Sequence, residues 1–455
     1  MKITIFAGDK EEVIDIPDEN VNEVVIPTFK PALENIQEKI REAVLNPIGT
    51  KRLSEIIKEK FGKPGKRGGP YHKVAIAAGT AARPDKHYLL SPPVLEELER
   101  AGIKDEDIVI VGGGGVHQEA SPAQWEMKWG KELYNRFKNQ MYSHTAPPPE
   151  YEKLRSPVKF MGFTSHNVPV SINKYAAESD VLIALGSVTM NVSKGFGGGA
   201  KMIMPGIACY QGITLNHALT PVHMRHGGSL EHNAGRLDIN ESGDIAGLDF
   251  IVNAVHNTEG DVVAVAAGHH FEAWESLLPI CREMYVRTGI KPAEIFISTG
   301  LRKGSSVGGG LGLGALSMVE AGKDATKPGG TMIFAHKAGP RSCVFAHESC
   351  PYRKVCEDAF HAMKPRPWNE LIEYCYHTPR WERRLQVSVV STVMNEKEIV
   401  ITGEGYTAQD FEGTGFRYIP TLSEAVEYAF KKHGKNAKAN ISPYGRMYLD
   451  PNSPE

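Results

Sequence analysis

A chain of 455 residues is too long for one compact core and implies two or three domains. Its apolar content of 41% and charged content of 23% are those of a soluble globular protein, and a formal net charge of -2 gives no electrostatic case for nucleic acid or an anionic membrane surface. No apolar run approaches the roughly 20 residues of a bilayer span, and the first residues lack the apolar core and cleavage site of a secretory signal, so a cytoplasmic location without a membrane partner is expected.

Residues 2–16 alternate apolar and polar positions around Ala7-Gly8-Asp9-Lys10, which predicts a β-hairpin. Helical periodicity runs over 31–45 and 52–61, followed by a basic, glycine-rich loop at 62–69. Buried strands are then predicted at 73–78, 107–112, 158–163 and 180–186, with a helix at 91–101 capped by Ser91 and carrying Pro92 in its first turn. A helix over 271–286 ends this part of the chain. Further strands are predicted at 293–298, 331–335 and 386–390, and a helix at 423–433. Strands alternating with helices imply mostly parallel sheets covered on both faces. The fold class is therefore α/β, with two α/β domains, an N-terminal one over 1–282 and a C-terminal one over 283–455.

In open α/β sheets ligands bind at the carboxyl ends of the strands. Four unusual segments fall at such ends: Gly79-Thr80-Ala81-Ala82-Arg83-Pro84, the run Gly112 to Gly115 leading to His117, Thr164-Ser165-His166-Asn167, and Gly186 to Asn191. The glycine run suits close backbone approach to an anion, or is a plain tight turn. His117 is suited to proton transfer near neutrality, and Arg83 offers a planar fork for a carboxylate or phosphate. Gly195-Phe196-Gly197-Gly198-Gly199-Ala200-Lys201 departs from a nucleotide P-loop, because no Ser or Thr follows the lysine. A lysine on backbone this open can instead be a nucleophile or a covalent tether. His217, His223, His226 and His232 match no standard zinc spacing, nor do Cys343, Cys350, Cys356 and Cys375 match a zinc or iron–sulfur set. Lys303 either reaches an anion between the domains, as a cofactor-binding residue, or is a plain loop charge.

These segments resemble the nickel-dependent lactate racemase family, whose members use a nickel-pincer nucleotide. The resemblance runs through the stretches 46–53, 79–84, 112–117, 161–173, 195–206, 247–255, 328–333 and 433–445. It implies two α/β domains with the cofactor in the cleft between them. The implied cofactor is the Ni(II) pyridinium-3,5-bisthiocarboxylic acid mononucleotide, held covalently by Lys201, with His217 as the protein ligand to nickel. Two sulfurs and an imidazole suit Ni(II). The resemblance further implies His117 as an acid/base, Arg83 against the substrate, and the phosphate held by polar groups such as Thr80 and the backbone of Gly113, Gly114, Gly198 and Gly199. Its reaction is a hydride shuttle on a 2-hydroxy acid, and its partners include the enzymes that build the cofactor; a homo-oligomer is compatible with it.

The departures lie around the substrate. The family's second catalytic histidine falls at Asn191, whose amide cannot relay protons. The Asp-x-Thr-Arg turn becomes Thr80 to Arg83, a glycine-rich 304–314 stretch replaces a carboxylate-binding segment, and the cysteine insert is new. The expectation is a racemase or epimerase of a 2-hydroxy acid other than lactate, a sugar acid for example, with His166 as a replacement acid/base. Two other readings stay open: the same cofactor used for redox or elimination chemistry, and a non-catalytic zinc or iron–sulfur protein on this scaffold.

Overall fold

The computed structural model describes residues 1–7, 10–63, 65, 73–80, 85–116, 119–191, 193–219, 230, 233–299, 319, 322–336, 353–377, 381–445 and 447–450. They fall into two compact units, one of Lys30–Thr220 with Leu230–Arg282, the other containing Met1–Phe29 and the chain from Glu283 onward.

The unit from Lys30 to Arg282 is built on a six-stranded sheet. The order is Val262–Gly268, Phe250–His256, Val181–Val188, Val74–Gly79, Ile108–Gly113 and Met141–His144. Neighbours run parallel except for the first pair, which is antiparallel. Parallel strands bury both faces, and Val74–Gly79 and Val181–Val188 are accordingly buried at every residue. Ile40 and Val44 from the Ile36–Leu45 helix, and Leu90, Val94 and Leu98 from the His87–Arg100 helix, pack with Ile76, Ile110 and Ile183 of the sheet.

Local differences from the sequence reading have physical causes. The His87–Arg100 helix starts a turn before Ser91, whose hydroxyl donates back to the His87 carbonyl at 2.8 Å. The start is fixed by His87, buried with its Nε2 at 2.9 Å from the Gly79 carbonyl. Residues 271–286 form two helices, Glu272–Glu275 and Leu278–Tyr285, and then the strand Val286–Thr288. Pro279 cannot donate to the preceding turn, so the helix restarts there. The strand Val158–Phe163 lies outside the large sheet and pairs antiparallel with Pro169–Asn173. Thr164 to Asn167 is therefore a hairpin turn, with Asn167 at a φ of 59°.

The other unit has its own six-stranded sheet, ordered Phe416–Tyr418, Glu398–Thr402, Thr326–Ala335, Ala293–Thr299, Ala439–Ser442 and Val21–Val24, with all neighbours parallel. The N-terminal residues thus differ from the expected 1–282 domain: Val21–Val24 is the edge strand of the sheet built from the C-terminal part of the chain. Asn20 secures it, since its buried Nδ2 donates to the Lys435 and Ala437 carbonyls at 2.8 Å each. The hairpin of Lys2–Ala7 and Lys10–Asp15 adds Ile3, Ile5 and Ile14 to a core with Ile297, Ile441 and Val426. Residues 386–390 are helical, within Trp381–Glu396, and not a strand. Their valines satisfy two periods at once, and Val387, Val390, Val393 and Met394 form the buried helix face. The strand of this region is Glu398–Thr402. No helix among the described residues is long and apolar enough to cross a membrane.

Replacing Asn20 by Ala orphans two carbonyls and is expected to destabilise the Glu283-onward unit by about 1–3 kcal/mol. Hydrogen exchange should quicken in Ala439–Ser442 and stay unchanged in Val181–Val188; equal effects on both strands would refute the assignment of residue 20 to that unit.

A candidate active site at the carboxyl ends of the strands

A cavity of about 160 Å³ opens in the Lys30–Arg282 unit where its central parallel strands end. Thr80 follows Val74–Gly79, the glycines 113–115 end and follow Ile108–Gly113, and Ser187 and Thr189 lie at the end of Val181–Val188; all line it. Three of the four expected strand-end segments therefore converge. Lys201 and His217, sixteen residues apart in sequence, line the same cavity.

The glycine segment is shaped from behind. Gly199 N–H donates to Asn253 Oδ1 at 2.7 Å, Trp274 Nε1 donates to the Gly197 carbonyl at 2.6 Å, and Arg236 Nη1 donates to the Phe196 and Gly198 carbonyls at 3.2 and 3.3 Å. The Arg236 guanidinium is buried and sits 3.6 Å from the Trp274 ring centroid, a cation–π contact. Gly198 and Gly199 have φ of 78° and 60°, and a Cβ on them would lie 2.6 Å from Asn253 Oδ1 and 2.8 Å from Arg236 Nη2. These glycines are required by the grip on the loop. Gly113 has a similar reason: a Cβ there would lie 2.5 Å from Met202 Sδ.

Lys201 sits in a 3-10 turn, Gly199–Met202, with its N–H on the Gly198 carbonyl at 3.2 Å and its own carbonyl accepting from Gly206 N–H at 3.3 Å. Its backbone is pinned on both sides and its side chain is half-buried. His217 lies in the last turn of the helix Tyr210–Ala218. Its Nδ1 is 2.7 Å from the Ile213 carbonyl. A carbonyl only accepts, so Nδ1 carries the proton and the lone pair is on Nε2, the tautomer of a metal ligand.

That helix is wired in from both ends. Cys209 Sγ accepts from Gly212 N–H at 3.3 Å. At the other end the buried Lys194 ammonium donates to the Asn216 carbonyl at 2.9 Å, while Asn216 Nδ2 reaches the Gly235 carbonyl at 2.9 Å and Asp238 Oδ2 at 2.7 Å. Burial pushes the Lys194 pKa down to about 7, opposed by Asp238 and assisted by Arg236. Lys194, Asn216, Arg236, Asn253 and Trp274 were not singled out from sequence. Asn253 alone had a signal, as part of the 247–255 stretch.

Asn191 lines the cavity, and its Oδ1 accepts from Ser193 Oγ at 3.1 Å and from Lys194 N–H at 3.0 Å. With that oxygen engaged in the turn, the residue offers the cavity its amide donor. His166 is not a cavity residue. It stands on the Thr164–Asn167 turn, 36% exposed, with Nδ1 3.8 Å from Asp238. The reason is the pairing of Val158–Phe163 outside the main sheet, which takes its loop away from the strand ends. Arg83, His117, Lys303, His223, His226, His232, Cys343 and Cys350 lie outside the described residues, as do the side chains of Cys356 and Cys375.

A family model for the lactate racemase N-terminal domain matches residues 7–228. Two lactate racemases are each 25% identical to the chain: that of Thermoanaerobacterium thermosaccharolyticum over 97% of both proteins, and that of Lactiplantibacillus plantarum over 90% of this chain and 89% of the relative. The solved lactate racemase apoprotein of Thermoanaerobacterium thermosaccharolyticum has the same fold, with a TM-score of 0.81 at 21% identity and 99% coverage of both chains. A solved Thermotoga maritima protein follows at a TM-score of 0.63 and 16% identity, over 93% of this chain and 100% of its own. The chain thus resembles lactate racemases over nearly its whole length, and it shares their fold.

Lys194 makes the stability of this unit depend on pH. Above pH 7 the folded chain gives up the proton, whereas the unfolded chain keeps it up to the ordinary value of 10.5, so stability rises with pH between the two. Denaturant unfolding at steps from pH 6.5 to 9.5 should show this rise in the wild type and a flatter profile in Lys194→Met; parallel profiles would show that the lysine is not desolvated.

Proposed function

We propose that this protein is a racemase or epimerase of a 2-hydroxy acid, acting with a nickel-pincer nucleotide tethered on Lys201 and ligated through His217. The observation that carries the reading is that these two side chains, the implied tether and the implied nickel ligand, line one cavity at the strand ends. The donor chemistry fits. His217 has its lone pair on Nε2, and it belongs to none of the three-residue metal-ligand groups found among the described residues. Nickel held there would take its other donors from a sulfur-bearing ligand, as a pincer provides. The glycine backbone at 113–115 and 197–199 leaves room for a bulky group near Lys201.

The bound cofactor supplies a hydride acceptor and donor beside the substrate carbon. The chain's own residues do the rest. His117 takes and returns the hydroxyl proton, and Arg83 orients the carboxylate. Asn191 donates a hydrogen bond and moves no proton, so the two faces of the substrate are served unequally. That asymmetry favours a substrate other than lactate, and a sugar acid is the class proposed. This reading gives no role to His166, which does not line the cavity. The cytoplasmic location and the need for cofactor-building enzymes belong to the same reading.

The chain made alongside the cofactor-building enzymes should carry a mass increment on the Lys201 peptide and one nickel per protein. Lys201→Ala should lose the increment, and His217→Ala should lower nickel occupancy by about tenfold or more. Unmodified Lys201 and no nickel in the wild type would end the proposal. Once a substrate is in hand, His166→Ala should leave kcat and KM unchanged while His117→Ala abolishes turnover. A keto or dehydrated product in place of the inverted acid would transfer the case to redox or elimination chemistry.

A further inference from the structure

Two polar side chains in the cavity wall make no side-chain hydrogen bond among the described residues. Asp85 is 2% exposed, and neither of its carboxylate oxygens has a hydrogen-bond partner among the described residues. Ser187 is 7% exposed, and its Oγ likewise has none. Both line the cavity that holds Lys201 and His217. They come from adjacent strands: Ser187 lies near the end of Val181–Val188, and Asp85 follows Val74–Gly79, which pairs with it in parallel.

A buried carboxylate without donors is a standing cost to folding. Chains retain such groups where a ligand completes them. The surroundings say what kind of ligand. Asp85 precedes the fourteen-residue helix His87–Arg100, whose N-terminal end favours negative charge, and the buried Lys128 ammonium donates to the Asp85 backbone carbonyl at 3.0 Å. These groups ease the charge but give neither carboxylate oxygen a hydrogen bond. The carboxylate lacks hydrogen-bond donors, and it has two oxygens to accept them. Ser187 adds a hydroxyl that both donates and accepts.

We propose that Asp85 and Ser187 form a subsite for a vicinal diol, with the carboxylate accepting from the two adjacent hydroxyls and Ser187 completing the hydrogen bonding at one of them. The proposal rests on the reading above in taking this cavity as the reaction chamber. A diol reaches such a chamber from two sources: the ribose of a nucleotide, or the polyol chain of a sugar acid. Either deepens that reading, the first on the cofactor side and the second on the substrate side.

The test uses the full-length protein made without cofactor, so it needs neither nickel nor turnover and is read separately from the Lys201 result. Ribose 5-phosphate, D-gluconate and the diol-free control lactate are titrated calorimetrically into the wild type, Asp85→Asn and Ser187→Ala. Asp85→Asn should weaken one of the diol probes by about tenfold, the loss of a hydrogen bond to a charged group, and leave any lactate binding unchanged. Ser187→Ala should weaken the same probe. Whichever probe responds identifies the source. The Tm of ligand-free Asp85→Asn should rise, because a buried charge without hydrogen-bond donors is gone. The proposal is overturned if neither diol probe binds the wild type, if neither responds to the substitutions, if lactate binding weakens equally, or if the Tm falls, which marks Asp85 as a structural group.

Discussion

The shape of the cavity depends on one buried cation. The Arg236 guanidinium stacks on Trp274 and donates to the carbonyls of Phe196 and Gly198. A charge taken out of water is costly unless its donors are engaged. Here Nη1 is engaged by the backbone of the segment that presents Lys201, while Nε and Nη2 find no hydrogen-bond acceptor among the described residues. The glycines follow from this contact, because the guanidinium, the indole and the Asn253 amide approach the chain closer than any Cβ allows. A lysine carried on backbone held so firmly has a defined point of departure, which a covalent tether requires.

The same economy governs the second key side chain. His217 does not stand on a loop but in the last turn of a helix whose start is capped by Cys209 and whose end is held by Lys194 through Asn216. The Ile213 carbonyl then fixes the ring's tautomer. Each support is a polar group buried where water cannot replace it, so the cost of a lost partner is high and the geometry has few alternatives. Asp85 and Ser187 show the converse arrangement. They are buried without hydrogen-bond partners among the described residues, at a cost to the fold.

Much of this was legible in the chain. Continuous apolar runs marked the central strands, since a parallel sheet buries both faces. The glycine-rich segment and the histidine beyond it were visible because glycine clusters are rare without a backbone reason. The supports were not legible. Arg236 and Lys194 look like any surface cations in a one-dimensional string, and only the packed unit shows them buried against Trp274 and Asn216. His166 read as a strand-end residue because a strand's sheet cannot be inferred from its own residues; its partner was a hairpin neighbour.

The sequence alone thus determined the local matters: which segments are apolar enough to be strands, where glycine frees the backbone, and which lysine and histidine resemble one family's pattern. The tertiary structure decided everything that depends on distant partners. It placed residue 21 beside residue 439, turned 386–390 into a helix face, brought Lys201 and His217 to one cavity with Asn191, Asp85 and Ser187, and kept His166 out of it. The reason is physical. Propensity and periodicity act over a few residues, whereas strand pairing and the burial of charge are settled by contacts between segments the chain keeps far apart.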